Sequence, residues 1–103
     1  MTINEWSDAT AMAQAVQNKT VSPRELVEAT IREAERTNPK INAIISQRYD
    51  KALKEAETRD FSDKPFAGVP IFLKDLGQEQ AGEPSTAGSR LFTSYRAKET
   101  DNY

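Results

Sequence analysis

The chain has 103 residues, enough for one small domain or part of a larger one, with 29% charged and 37% apolar residues and a mean hydropathy of −0.73. Its 14 basic and 16 acidic residues are interspersed and leave a net charge of −2, which gives no electrostatic footprint for nucleic acid or an anionic membrane surface. No run approaches the roughly 18 apolar residues of a membrane span. Met1-Thr2-Ile3-Asn4-Glu5 lacks the basic start and apolar core of a signal peptide, so a cytoplasmic protein is expected.

The missing residue types narrow the chemistry. Without histidine the chain holds no Ser-His-Asp or Cys-His machinery, and without cysteine it holds no disulfide framework or thiolate metal site. A base working near neutral pH is then a lysine with a lowered pKa or a carboxylate with a raised one.

The first helix is expected to start near Ser7 or Asp8, either of which can cap free amides, and to run to about Asn18. Ala9, Met12, Ala13 and Val16 fall at i, i+3, i+4, i+7 and give it one narrow apolar stripe. Trp6 is placed to staple against the first turn. Ser22-Pro23-Arg24-Glu25 is a capping box with proline at the first helical position, so a second helix starts at Pro23. Val27, Ile31 and Ala34 form its inner stripe, flanked by Leu26 and Thr30, while Glu28 and Arg32 are spaced to pair outside. Asn38-Pro39 is expected to end it, because the residue before a proline is pushed out of the helical region.

Ile41 to Ile45 is short, rich in branched residues and bounded by polar ones, the pattern of a strand. Tyr49, Ala52, Leu53 and Ala56 repeat the helical spacing, and residues 58–64 read as a surface loop. Gly68-Val69-Pro70-Ile71-Phe72-Leu73 then gives a second strand, Val69 to Leu73, apolar enough to be covered on both faces. This alternation predicts an α/β layer. The sheet is short of strands, however. Thr100 or Asp101 resembles a helix cap with no helix after it, so the chain is expected to be a cut piece of a larger sheet.

At the end of the second strand stands Lys74-Asp75. An ammonium carried out of water needs a partner or loses its proton. From the residues alone, Lys74 is either a strand-end lysine paired with Asp75 or another carboxylate, or a base that relays a proton from a serine hydroxyl. Gly88-Ser89, in Ser85-Thr86-Ala87-Gly88-Ser89, reads as a turn, with close backbone approach to a substrate as the alternative.

Gly68-Val69-Pro70, the apolar residues after it, Lys74-Asp75 and the Ser85-Thr86-Ala87-Gly88-Ser89 element together resemble the amidase signature family of carboxylic-amide hydrolases. The resemblance is close over Gly68 to Phe92 and looser from Ser22. It implies an α/β fold with a mixed central sheet flanked by helices, of which residues 1–103 are the N-terminal part of a single domain without internal boundary. It also implies catalysis without metal or organic cofactor on a small-molecule amide, by a Ser-Ser-Lys triad in which Lys74 is the lysine. In that family the lysine hydrogen-bonds a serine held by a cis peptide bond, and this serine bridges to the nucleophile; both lie in a Gly/Ser-rich segment. None of Ser7, Ser22, Ser46, Ser62, Ser85, Ser89 or Ser94 sits in such a run, so the serines are expected after residue 103 and the isolated chain is expected to be inactive and prone to self-association. Glutamyl-tRNA amidotransferase A subunits continue Lys-Asp-Asn, whereas here Lys74-Asp75-Leu76-Gly77 is closer to variants resembling cyclic-amide and small-amide hydrolases. The tRNA-linked role and a non-catalytic scaffold module remain the alternatives.

Overall fold

The carboxylate of Asp8 accepts the amide of Ala11 at 2.8 Å and so caps the first helix, α1 (Ala9–Gln17), in a computed structural model that describes residues 7–102. The staple expected of Trp6 lies outside the described residues. α1 ends in a Schellman motif, with the Lys19 amide donating to the Val16 carbonyl and the Thr20 amide to that of Ala15. The left-handed position of this motif, where glycine is usual, is held by Lys19 at φ 58.

The capping box forms as the sequence predicts. Ser22 Oγ accepts the Glu25 amide at 3.1 Å, and Glu25 Oε1 accepts the Ser22 amide at 3.2 Å. The helix it opens, α2 (Pro23–Ile41), buries Leu26, Val27 and Ala34. Glu28 pairs back to Arg24 at 2.7 Å, and that guanidinium also reaches Glu57 on α3 (Tyr49–Thr58). α2 and α3 pack against each other, and Arg48 meets Glu55 at 2.6 Å beside that contact. These ion pairs are partly exposed and stabilise little, and of the three Arg24–Glu57 is the one that joins α2 to α3.

Two expectations fail at the end of α2. The helix runs through Pro39 to Ile41, and the strand expected over Ile41 to Ile45 does not form. Proline here removes only the amide that would bond Glu35, and one turn later the chain leaves the helix through Asn42 in the left-handed region (φ 50, ψ 46). Asn38 Oδ1 then accepts the amides of both Ala43 and Ile44 at 2.8 Å. Those two amides are unavailable to a strand partner.

The second expected strand, Val69 to Leu73, does not form either: the described residues form helices and irregular segments, with one isolated antiparallel bridge, Pro84 to Arg96. The Val69 amide turns back to the Phe66 carbonyl at 3.1 Å and Pro70 has no amide to give. Apolar character selects burial, but a strand also requires a neighbour for its backbone groups, and none of the described residues supplies one. Ile71 and Phe72 stand 67% and 57% exposed.

The described residues divide into two compact units, one up to Pro70 and one from Ile71. The first holds α1, α2 and α3 around Ala15, Leu26, Val27 and Ala34. Gly68 fastens the end of this unit to its helices. It is buried at φ +80, and a Cβ there would lie 2.8 Å from Pro23 Cγ and 3.4 Å from Val16 Cγ1. No helix of the described residues is long and apolar enough to cross a membrane.

Two substitutions test this packing by denaturant unfolding. Gly68→Ala adds a strained φ to a clash with a proline ring and should cost at least about 2 kcal/mol. Lys19→Gly relieves the left-handed strain at the end of α1 and should stabilise by up to about 1 kcal/mol. A neutral Gly68→Ala would contradict the close approach of residue 68 to Pro23.

Candidate functional site

The residues singled out by the sequence, Lys74 and the element 85–89, both belong to the second unit. This unit is held by backbone rather than by a core, with Ala97 its one buried apolar residue among those described. Two arms run side by side. The Gly82 amide donates to the Ala97 carbonyl at 2.8 Å, the Ala97 amide to Glu83 at 3.1 Å, and the Asp101 amide to Glu79 at 2.8 Å.

Side chains complete the pairing. Asp101 Oδ2 accepts the Glu79 amide at 2.7 Å, Thr100 Oγ1 accepts that of Ala81 at 3.1 Å, and the Tyr95 hydroxyl donates to Glu79 Oε2 at 3.0 Å. Thr100 and Asp101, which read as helix caps in the sequence, thus serve amides of the opposite arm. Between the arms, Ser89 Oγ accepts the Leu91 amide at the start of a short 3-10 helix, Arg90–Phe92.

Thr86 to Ser89 is a tight turn. The Ser89 amide bonds the Thr86 carbonyl at 2.8 Å, and Ala87 (φ 50) and Gly88 (φ 72) both take the positive φ that a type I′ turn requires. Such a turn directs its amides to one side. Here they face Asp75: its Oδ1 accepts the Thr86 amide at 2.7 Å, and its Oδ2 accepts the Thr86 hydroxyl and, at 3.3 Å, the Gly88 amide. Gly88-Ser89 is therefore part of a turn in which the Gly88 amide meets a carboxylate of the same unit and the Ser89 amide closes the turn.

These donors, the Thr86 hydroxyl first and the Thr86 amide second, hold the Asp75 carboxyl below its ordinary range against the opposing effect of desolvation. Pairing of Lys74 with Asp75, one of the readings the residues left open, is not made, because Asp75 is engaged with the turn. Lys74 is exposed, and its backbone amide donates to Gln78 Oε1 at 2.9 Å. The residue that sequence reasoning passed over is Asp75, treated there only as a neighbour of the lysine. The available signal was an acceptor-only side chain upstream of a Thr-Ala-Gly turn rich in free amides.

Among the described residues no group of three or more acidic side chains is placed to hold a metal ion. The arrangement offers an amine on a backbone fixed from two directions. An open groove in the first unit, lined by Ala34, Asn38, Ile44, Ile45 and Tyr49 among others, does not include Lys74.

Comparison with known proteins gives this geometry a context. Residues 25–102 match the family described as Amidase. The chain is 42% identical over 85 residues to the 6-aminohexanoate-cyclic-dimer hydrolase of Paenarthrobacter ureafaciens, covering 82% of this chain and 17% of that protein. It is 41% identical over 86 residues to the lipoamidase of Enterococcus faecalis, covering 82% of this chain and 12% of that protein. A solved structure of 6-aminohexanoate cyclic dimer hydrolase complexed with substrate superposes with a TM-score of 0.83 at 39% identity, over 95% of this chain and 20% of that one. The chain spans less than a fifth of the length of the curated relatives named here.

The Asp75 contacts set a direction for pH dependence. Its folded-state pKa lies below the unfolded value of about 3.9, so its contribution is fully present above that value and is lost as pH falls through the folded pKa. An NMR titration should place the Asp75 midpoint below about 3.9, with the Thr86 and Gly88 amide shifts following the same curve. A midpoint at or above the ordinary value would show that the turn does not close on this carboxylate.

Proposed function

Since the chain belongs to the amidase family, we propose that residues 1–103 are the N-terminal part of one amidase domain and that the complete protein hydrolyses a carboxylic amide with Lys74 as the base. The observation that carries this reading is that the family match, residues 25–102, runs through both compact units and includes Lys74-Asp75 together with the turn that Asp75 holds.

The chemistry follows from what a neutral amine can do beside a serine. Lys74 takes a proton from a bridging serine, which takes one from the nucleophilic serine, and the oxygen so freed attacks the amide carbon. Backbone N–H groups stabilise the resulting oxyanion. The C–N bond breaks as the proton is returned to the departing nitrogen, and water then cleaves the acyl-serine ester. No metal or organic cofactor enters. Both serines come from a Gly/Ser-rich segment beyond this chain, because none of its own serines lies in such a run. Two of them, Ser22 and Ser89, already accept backbone amides at helix starts.

The substrate class proposed is a small cyclic or linear amide. It rests on the likeness to the cyclic-dimer hydrolase and on Leu76 following Lys74-Asp75, where amidotransferase A subunits carry asparagine. In the complete domain, residues 69–73 gain strand partners and Ile71, Phe72 and Leu76 are covered, so the fold there is the mixed sheet that the helices alone do not make. The isolated chain exposes these side chains and self-associates.

In the complete enzyme, Lys74→Ala should lower kcat at least about a hundredfold, the lower end of what a positioned acid–base group supplies. The first substrate to assay is 6-aminohexanoate cyclic dimer. Near-normal activity of Lys74→Ala would remove the lysine from the mechanism. The purified 103-residue chain should show no turnover above background, and activity from it would contradict the placement of the serines outside it.

A further inference from the structure

We propose that Asp75 is a positioning residue for Lys74: its carboxylate binds the 86–88 turn to the Lys74–Gln78 segment and fixes the backbone from which the lysine extends. This inference rests on the reading of Lys74 as the base. It begins from an asymmetry in the structure. Lys74 and Asp75 are consecutive, yet the carboxylate is spent entirely on a turn 11 to 13 residues later.

The Lys74 backbone is held on both sides. Its own amide is bound by Gln78 Oε1 at 2.9 Å, and the next residue is bound through three donors of the turn. Gln78 closes a short loop, whereas Asp75 ties this loop to the rest of the unit. Residues 84 and 96, linked by the antiparallel bridge, close the loop that carries the turn, so the turn is itself anchored. A long, flexible side chain such as lysine is only as well placed as its Cα, and misplacement of a reacting group by about 1 Å costs on the order of a hundredfold in rate.

The chemistry of the acceptor explains why a carboxylate stands here. An ionised Asp is acceptor-only, and all three groups that face it are donors in this arrangement. Asparagine would place an NH₂ where Oδ2 now accepts the Gly88 amide and the Thr86 hydroxyl. The hydroxyl can rotate to accept, but the Gly88 amide cannot. Charge-assisted bonds are also the stronger kind. Because these turn amides are aimed at Asp75, they are occupied within the unit, and the turn acts as a brace.

The test uses steady-state kinetics of the complete enzyme with Lys74→Ala as the control. If Asp75 positions the base, Asp75→Asn should lower kcat by about a hundredfold while KM stays within about threefold, since the loss falls on the proton-transfer geometry and not on substrate binding. Thr86→Val, which removes one donor and keeps the turn backbone, should lower kcat by about tenfold, and Thr86→Ser, which restores the hydroxyl, should recover it. The Thr86 pair decides the matter if Asp75→Asn does not fold. A folded Asp75→Asn enzyme with normal kcat, or equal activity of Thr86→Val and Thr86→Ser, overturns the proposal. Loss of activity in Lys74→Ala alone leaves the base assignment standing without it. Near-normal activity of Lys74→Ala instead overturns that assignment and this proposal with it.

Discussion

The hydrogen bonds that converge on the Asp75 carboxylate join two stretches of chain that share no helix, no strand and almost no apolar burial. In the unit from Ile71 onward only Ala97 is a buried apolar residue among those described, and Phe72, Leu76, Leu91 and Phe92 are exposed. Hydrophobic contact therefore does not fix where the backbone goes. Directed hydrogen bonds do: turn amides onto Asp75, an arm of alternating backbone bonds from Glu79 to Asp101, and the Gln78 amide oxygen onto Lys74. A lysine on such a frame is placed by polar geometry, which demands that each donor have its acceptor.

The unit before it is built differently. Helix periodicity buries small stripes, Ala15 on α1 and Leu26, Val27 and Ala34 on α2, and the capping box fixes where α2 begins. Its tightest constraint is steric. Gly68 lies so close to the Pro23 ring and to Val16 that no side chain fits, which is why the Gly-Val-Pro motif starts with the one residue that has none. The same proline that opens α2 without wasting an amide also forms the surface on which residue 68 packs.

Much of this was legible from residue pattern alone. The caps at Asp8 and Ser22 and the inner side of α2, where Leu26, Val27 and Ala34 are buried, are local signals set by neighbours three or four positions away, whereas α1 buries Ala15, outside its expected stripe of Ala9, Met12, Ala13 and Val16, and the stripe of α3 is only half-buried. Pro39 misled because its steric cost is small one turn from a helix end, where Asn38 and Asn42 satisfy the backbone that follows. The strands misled for the opposite reason. Ile41 to Ile45 and Val69 to Leu73 have strand composition, but pairing is a property of two segments, and the pattern of one says nothing of its neighbour. Asp75 was missed because its partners lie beyond any local window, whereas Lys74 drew notice through its resemblance to a family motif. Leucine after Lys74-Asp75 still sets the substrate expectation apart from the amidotransferase A subunits.

The central claim is that the carboxylate of Asp75 holds the 86–88 turn beside the lysine segment. Amide hydrogen exchange measured on the complete protein, wild type against Asp75→Asn, tests it most directly, because the amides of Thr86 and Gly88 donate to that side chain and Gly88 is exposed. The account predicts protection of both amides in the wild type and loss of protection at Gly88 in the variant, whose remaining side-chain oxygen still accepts the Thr86 amide, with the amides of α2 unchanged. Equal exchange at Gly88 in the two proteins would contradict it.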